Sequence, residues 1–144
     1  MSLRIELKPG ERILIGDCVI TNSDHRASFV VDGRAPILRE KDIMTARSAN
    51  TPAKRIYLAI QLMYLARDPR QHHETYFSLV RDFVEAAPSG WSLIEVINNQ
   101  ILSGDLYKAL KSTRKLIKFE QELLNNEGRR TPLRKRGKAD RQSA

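Results

Sequence analysis

Few residues in this chain have the types and spacing that chemistry requires, and the most suggestive group is His72-His73-Glu74. Adjacent helical side chains diverge by about 100°, whereas zinc motifs on helices place ligands at i and i+4, so the cluster does not read as a metal site. Three histidines are present, and none stands in a context that would give a Ser or Cys nucleophile its base and orienting group. Cys18 is the only cysteine, which excludes an internal disulfide and a thiolate metal cluster; in mid-strand it reads as a small core residue. The seven glycines are scattered, and no Gly-x-x-x-x-Gly-Lys or Gly-x-Gly-x-x-Gly loop occurs to cradle a phosphate. The expectation is a protein with no catalytic residues, no metal and no cofactor.

Charge is the stronger signal. The net charge is +8, and it is unevenly spread: residues 1–44 hold seven basic and seven acidic side chains, residues 45–128 eleven and nine, and residues 129–144 seven and one. The last segment, with Arg134, Lys135 and Arg136 at its centre, lacks apolar periodicity and reads as a mobile basic arm able to release counterions on a polyanion. A second cationic feature emerges when residues 106–124 are projected at 100° per residue. Leu106, Leu110, Ile117 and Leu124 cluster on one side, and Lys108, Lys111, Lys115 and Lys118 fall in a stripe of about 80° opposite. Such a stripe is usually the solvated face of an amphipathic helix. Arg114 borders it and Phe119 reads as an exposed aromatic within it, a combination suited to phosphates and unstacked bases, while Glu122 weakens the field at its end.

The elements that position these residues are legible from periodicity. With 144 residues, 41% hydrophobic and 29% charged, the chain is sized for one compact domain with its own core. No apolar run approaches the roughly 18 residues of a membrane-spanning helix, and Arg4, Glu6 and Lys8 stand where a signal peptide would be apolar, so a cytoplasmic protein without membrane attachment is expected. Leu3, Ile5 and Leu7 alternate with Arg4 and Glu6 as in a half-buried strand, and Lys8-Pro9-Gly10-Glu11 predicts a hairpin to a second strand at Ile13–Ile15. Gly16-Asp17, Asn22-Ser23-Asp24 and Asp32-Gly33 then separate Cys18–Ile20, Phe29–Val31 and Ile37–Leu38. Turns this short leave no room for crossover helices, which makes the sheet antiparallel.

After Met44 the period changes. Thr51-Pro52 is an N-cap followed by a proline at the first helical position, and from Ile56 to Ala66 nearly every side chain is apolar, Gln61 excepted, which predicts a helix surrounded by protein. Tyr76 to Ala87, Trp91 to Leu102 and a last helix of roughly twenty residues after Ser103-Gly104-Asp105 complete the set. The predicted fold is α+β: an antiparallel β subdomain over residues 1–44, a sheet or barrel of about five short strands; a helical subdomain of about four helices over 45–128; and a basic flexible tail over 129–144.

Leu7-Lys8-Pro9-Gly10-Glu11, Leu38-Arg39-Glu40-Lys41-Asp42-Ile43-Met44, Thr51-Pro52-Ala53 with Ile56-Tyr57, Met63-Tyr64-Leu65, and Tyr107-Lys108-Ala109-Leu110 running into Arg114-Lys115-Leu116-Ile117 together resemble the FlbT family of flagellum biosynthesis regulators from alphaproteobacteria. The likeness covers residues 3 to about 120 and leaves out the basic tail. It implies a cytoplasmic post-transcriptional regulator that binds the 5′ untranslated region of flagellin messenger RNA, usually as a repressor promoting mRNA decay, alongside the small protein FlaF. A weaker likeness links Gly10-Glu11, Ile15-Gly16-Asp17 and Leu38-Arg39-Glu40 to the small RNA-binding CsrA family, whose first and last strands lie together. It implies an RNA-contacting role for Arg39 and a basic position at Lys8, although Glu6 and Leu7 replace residues that are polar or basic there. The candidate RNA contacts are thus Lys8, Arg12, Arg34 and Arg39 on the strands, Lys108, Lys111, Arg114, Lys115 and Lys118 on the last helix, and Arg134, Lys135 and Arg136 in the tail. The rival expectation is an adaptor that binds FlaF or flagellin and reaches the mRNA through it. Short edge strands add the expectation of a homodimer.

Overall fold

The structure, a computed structural model, describes residues 2–137 and the side chains of residues 2–127. Five strands, β1 (Ser2–Leu7), β2 (Arg12–Ile15), β3 (Cys18–Thr21), β4 (Ala27–Asp32) and β5 (Ile37–Arg39), precede four helices, α1 (Pro52–Leu65), α2 (His73–Ala86), α3 (Trp91–Leu102) and α4 (Leu106–Gly137). The α+β class and the antiparallel pairing are as the sequence predicts. A barrel is not formed. β1 pairs only with β4, and the other three strands make a separate sheet in the order β3-β2-β5.

The expected β1–β2 hairpin gives way to this arrangement at one corner. The Asn22 amide donates to the carbonyls of Leu7, Lys8 and His25 at 3.2, 2.9 and 2.7 Å, so acceptors at the end of β1 turn to the β3–β4 connection. The Gly10 N–H likewise donates to the Ser23 carbonyl at 2.9 Å. The β2–β3 hairpin does form, on the two-residue loop Gly16-Asp17, with Gly16 at φ +62° as primed turns require. The two sheets share a small apolar cluster of Ile5, Leu7 and Ile13, flanked by Ile15, Phe29, Val31 and Ile37.

The larger core lies among the helices. α1 supplies Ala53, Ile56, Tyr57, Ala59, Ile60 and Met63 to it, as its apolar run predicts, although Leu62 remains exposed. Its N-terminus is fully satisfied: Pro52 has no N–H, the Ala53 N–H donates to the buried Glu120 carboxylate at 2.9 Å, and the Lys54 N–H donates to the Thr51 hydroxyl at 3.3 Å. Glu120 belongs to α4, so a carboxylate from one helix sits at the positive end of another. Gln61, the polar exception in the sequence, is buried and clasps the Met44 backbone, accepting from its N–H at 2.7 Å and donating to its carbonyl at 3.0 Å.

Three local expectations change. Cys18 is exposed at the start of an edge strand that no other element covers, and all four β3 residues share that exposure. Phe119 is half-buried against the helical core, facing Gly90 and Phe83 rather than solvent. The last helix is 32 residues long, about 48 Å at 1.5 Å per residue, and its inward face carries Thr113, Leu116 and Glu120. The segment read as an arm from residue 129 therefore begins inside α4. Residues 138–144 and the side chains of Arg134, Lys135 and Arg136 lie outside the described residues.

Two substitutions probe this packing. Gln61→Leu strips the half-buried Met44 N–H and C=O of their partners and should cost about 2–6 kcal/mol in denaturant unfolding, at about 1–3 kcal/mol for each orphaned group. Gly90→Ala places a methyl 2.8 Å from the Phe83 ring and 3.2 Å from that of Phe119, and it should lower the unfolding free energy by about 1–3 kcal/mol.

Candidate nucleic-acid interface

The candidate cations come from two elements that the fold brings face to face. On α4, Tyr107, Lys111, Arg114 and Lys118 recur at i, i+4, i+7 and i+11, one row along the helix. That row faces the segment leaving β5. The Arg114 guanidinium pairs with the buried Asp42 carboxylate, donates to the Lys41 carbonyl at 3.3 Å and lies 5.7 Å from the centre of the Tyr57 ring. Lys108 and Lys115 are exposed on the next row outward.

Three adjoining depressions run along this junction. The first is lined by Lys8, Glu11, Glu40 and Lys41; the second by Lys41, Asp42, Tyr57, Arg114 and Ile117; the third by Arg34, Ile37, Arg39, Asp42, Tyr64 and Tyr107. Lys41 lines both the first and the second and Asp42 both the second and the third, so Lys8, Arg114, Arg39 and Arg34 border a track of neighbouring depressions. Arg12 joins its rim through Glu40, which accepts from the Arg12 N–H at 2.6 Å and faces its guanidinium at 3.9 Å. Lys41 is a cation on this track that charge counting along the sequence passed over, because it lies between Glu40 and Asp42. The structure removes that cancellation, since Asp42 turns inward to Arg114 while Lys41 stays exposed.

Arg39 is half-buried and uses one of its five donors on the Glu6 carbonyl at 2.8 Å. This bond holds the end of β5 beside β1, although β5 pairs in the sheet with β2. Proximity of first and last strands is thus achieved through a side chain. Aromatic character, sought at Phe119, is supplied by Tyr64 and Tyr107, whose ring centres lie 5.9 Å apart. The Lys111 ammonium stands 5.1 Å over the Tyr107 ring, within cation–π range. Among the described residues no group of three or more His, Cys, Asp or Glu could hold a metal ion, and no helix is long and apolar enough to cross a membrane.

Three tyrosines, two of them on the track, are held protonated. Burial pushes the Tyr57 phenol above its ordinary value against the opposing pull of Arg114, and burial likewise raises Tyr64 and Tyr76. Tyr57 donates to the Asp42 carbonyl at 2.6 Å, and Tyr64 to the Ile37 carbonyl at 3.1 Å while accepting from the Ile37 N–H at 3.2 Å.

The chain belongs to the FlbT family: the model described as flagellar protein FlbT matches residues 3–124. It is 60% identical over 124 residues to the probable flagellum biosynthesis repressor protein FlbT 1 of Bradyrhizobium diazoefficiens, covering 85% of each chain. The probable flagellum biosynthesis repressor protein FlbT of Rhodopseudomonas palustris is 58% identical over 87% of this chain and 99% of its own. The flagellum biosynthesis repressor protein FlbT of Caulobacter vibrioides is 33% identical over 88% of this chain and 92% of its own. No solved structure matches the chain.

A folded-state phenol with a raised pKa contributes stability that is complete below the ordinary tyrosine value of about 10 and is lost as pH rises through the higher folded value. Absorbance at 295 nm should therefore show that Tyr57, Tyr64 and Tyr76 ionise late, together with alkaline unfolding, whereas chain unfolded in urea titrates near pH 10. Early ionisation of Tyr57, Tyr64 and Tyr76 in the folded protein would contradict this burial.

Proposed function

We propose that this protein regulates flagellum synthesis after transcription, binding the 5′ untranslated leader of flagellin mRNA in the track between β5 and α4 and altering its translation or decay, in the repressing sense carried by the names of its relatives. The observation that carries the proposal is the convergence of strand cations and helix cations on one surface, with two tyrosines at one end. Lys8, Lys41, Arg34, Lys111 and Lys118 neutralise phosphates and set affinity; Lys108 and Lys115 extend the field outward, and the basic segment with Arg134, Lys135 and Arg136 adds to it. Sequence preference comes from unpaired bases. No reaction is assigned to the protein, and regulation follows from occupancy of the leader.

One observation favours the adaptor alternative. An apolar cleft of about 670 Å³ lies between the start of α1, the end of α2 and α4, with Phe83, Ala87, Pro88, Leu123 and Leu124 on its walls. FlaF or flagellin would dock there, and the mRNA would respond indirectly. A homodimer through the exposed β3 edge is compatible with either mode.

Gel-shift titration of full-length protein with flagellin leader RNA, with and without FlaF, separates the two. Direct binding predicts a shift by the protein alone, weakened roughly 100-fold between 50 and 200 mM salt for about five phosphate contacts on single-stranded RNA. Charge reversal at Lys41 and Lys111 together should abolish it. A shift that appears only with FlaF present assigns the protein to the adaptor mode.

A further inference from the structure

We infer that the groove between the β4–β5 connection and the start of α4 is a nucleobase subsite: an unpaired base of single-stranded RNA stacks on Tyr107, and its phosphates are held by Lys111, Arg34 and Arg39. The inference rests on the proposed RNA-binding function and assigns one part of the track a separate task. The groove has a volume of about 710 Å³, within the range of sites that enclose small ligands, and only this depression of the track carries two aromatic rings.

The chemistry of the lining selects a ligand that is planar and apolar at one end and anionic at the other. Leu3, Val31 and Ile37 make up the apolar part of the lining beside the two rings, and Arg34 and Arg39 supply its cations. Asp42 is the one carboxylate in the lining, and its charge is matched by Arg114, so no acidic group opposes a phosphate there. An acidic peptide would satisfy the cations but not a ring face. A base on a sugar-phosphate backbone satisfies both.

Tyr107 is suited to the stacking role by its setting. It is 43% exposed, so a face of the ring is reachable, and Tyr64 fixes its position from the buried side with the rings tilted by 43°. Tyr64 is itself anchored by its two bonds to the Ile37 backbone, which makes the floor of the groove rigid. Lys111 covers Tyr107 from one turn further along α4. When a base takes the ring face, the ammonium exchanges a cation–π contact for a phosphate, keeping its charge paired. Gly33, at φ +132° with nothing within 4 Å of the position a Cβ would take, leaves the mouth of the groove open beside Arg34.

The test uses full-length protein and two fluorescein-labelled probes, a 12-nucleotide oligouridylate and an abasic ribose-phosphate strand of the same length, read by anisotropy at low salt. Uridylate is chosen because it is unstructured and stacking tolerates any base. Wild type should bind the uridylate roughly five- to a hundredfold more tightly than the abasic strand. Tyr107→Leu should erase that preference while Tyr107→Phe keeps it, with thermal melts confirming that both variants fold. Lys111→Ala should weaken both probes. Equal affinity of wild type for the two probes, or a preference that survives Tyr107→Leu, overturns the subsite and leaves RNA binding by the track standing. Failure of both probes to bind, even at low salt, overturns both the subsite and the RNA-binding function.

Discussion

The structure depends on how α1 holds the backbone that leaves the sheets. The segment from Ile37 to Met44 crosses from strand to helix without a long ladder of its own, so its amides and carbonyls need partners from elsewhere. Tyr57, Gln61 and Tyr64, at i, i+4 and i+7 on α1, supply them at Asp42, Met44 and Ile37. One face of one helix therefore sets where the β region stands relative to the helical core. Tyr57 lines one of the depressions of the track and Tyr64 the tyrosine groove, so both lie along this row.

α4 completes the frame from the other side through two ionic contacts of different kinds. Glu120 reaches the N-terminal end of α1 and replaces water at the Ala53 N–H, and Arg114 reaches the same segment that Tyr57 holds and neutralises Asp42. Between them lies a stretch of helix whose outer side chains are lysines. Removal of either contact would leave a polar group poorly compensated in a water-poor setting, so the pair restricts α4 in both tilt and rotation. The cations on its outer rows are thereby presented at defined heights over the strands, even though the lysines themselves are solvated.

Most of the fold was legible because its signals are local. Period-two alternation at Leu3, Ile5 and Leu7, the Gly16-Asp17 turn, the Thr51-Pro52 cap and the apolar run after Ile56 each mark an element without reference to its partners. The strand order was not legible, since it turns on the Asn22 side chain taking carbonyls at Leu7 and Lys8, a contact across some fourteen residues. At the interface, charge pattern identified the α4 lysines but could not tell that Arg114 is shared with a buried aspartate or that Lys41 is left uncancelled. The aromatic partner was misplaced from Phe119 to solvent for a related reason: a helical wheel gives angles, and which neighbour covers an edge of the wheel depends on Gly90 permitting close approach. Tyr64 and Tyr107 meet because α1 packs on α4, a tertiary fact with no signature in spacing.

The Tyr64 hydroxyl has one more effect. By taking both the amide and the carbonyl of Ile37, it closes the three-stranded sheet on its β5 side, while β3 on the opposite side keeps its outward groups for solvent. A sheet that can accept a neighbour along only one margin cannot propagate. Joining two chains through β3 would occupy the open margin of this sheet and cover the exposed valine and isoleucine of that strand within a pair.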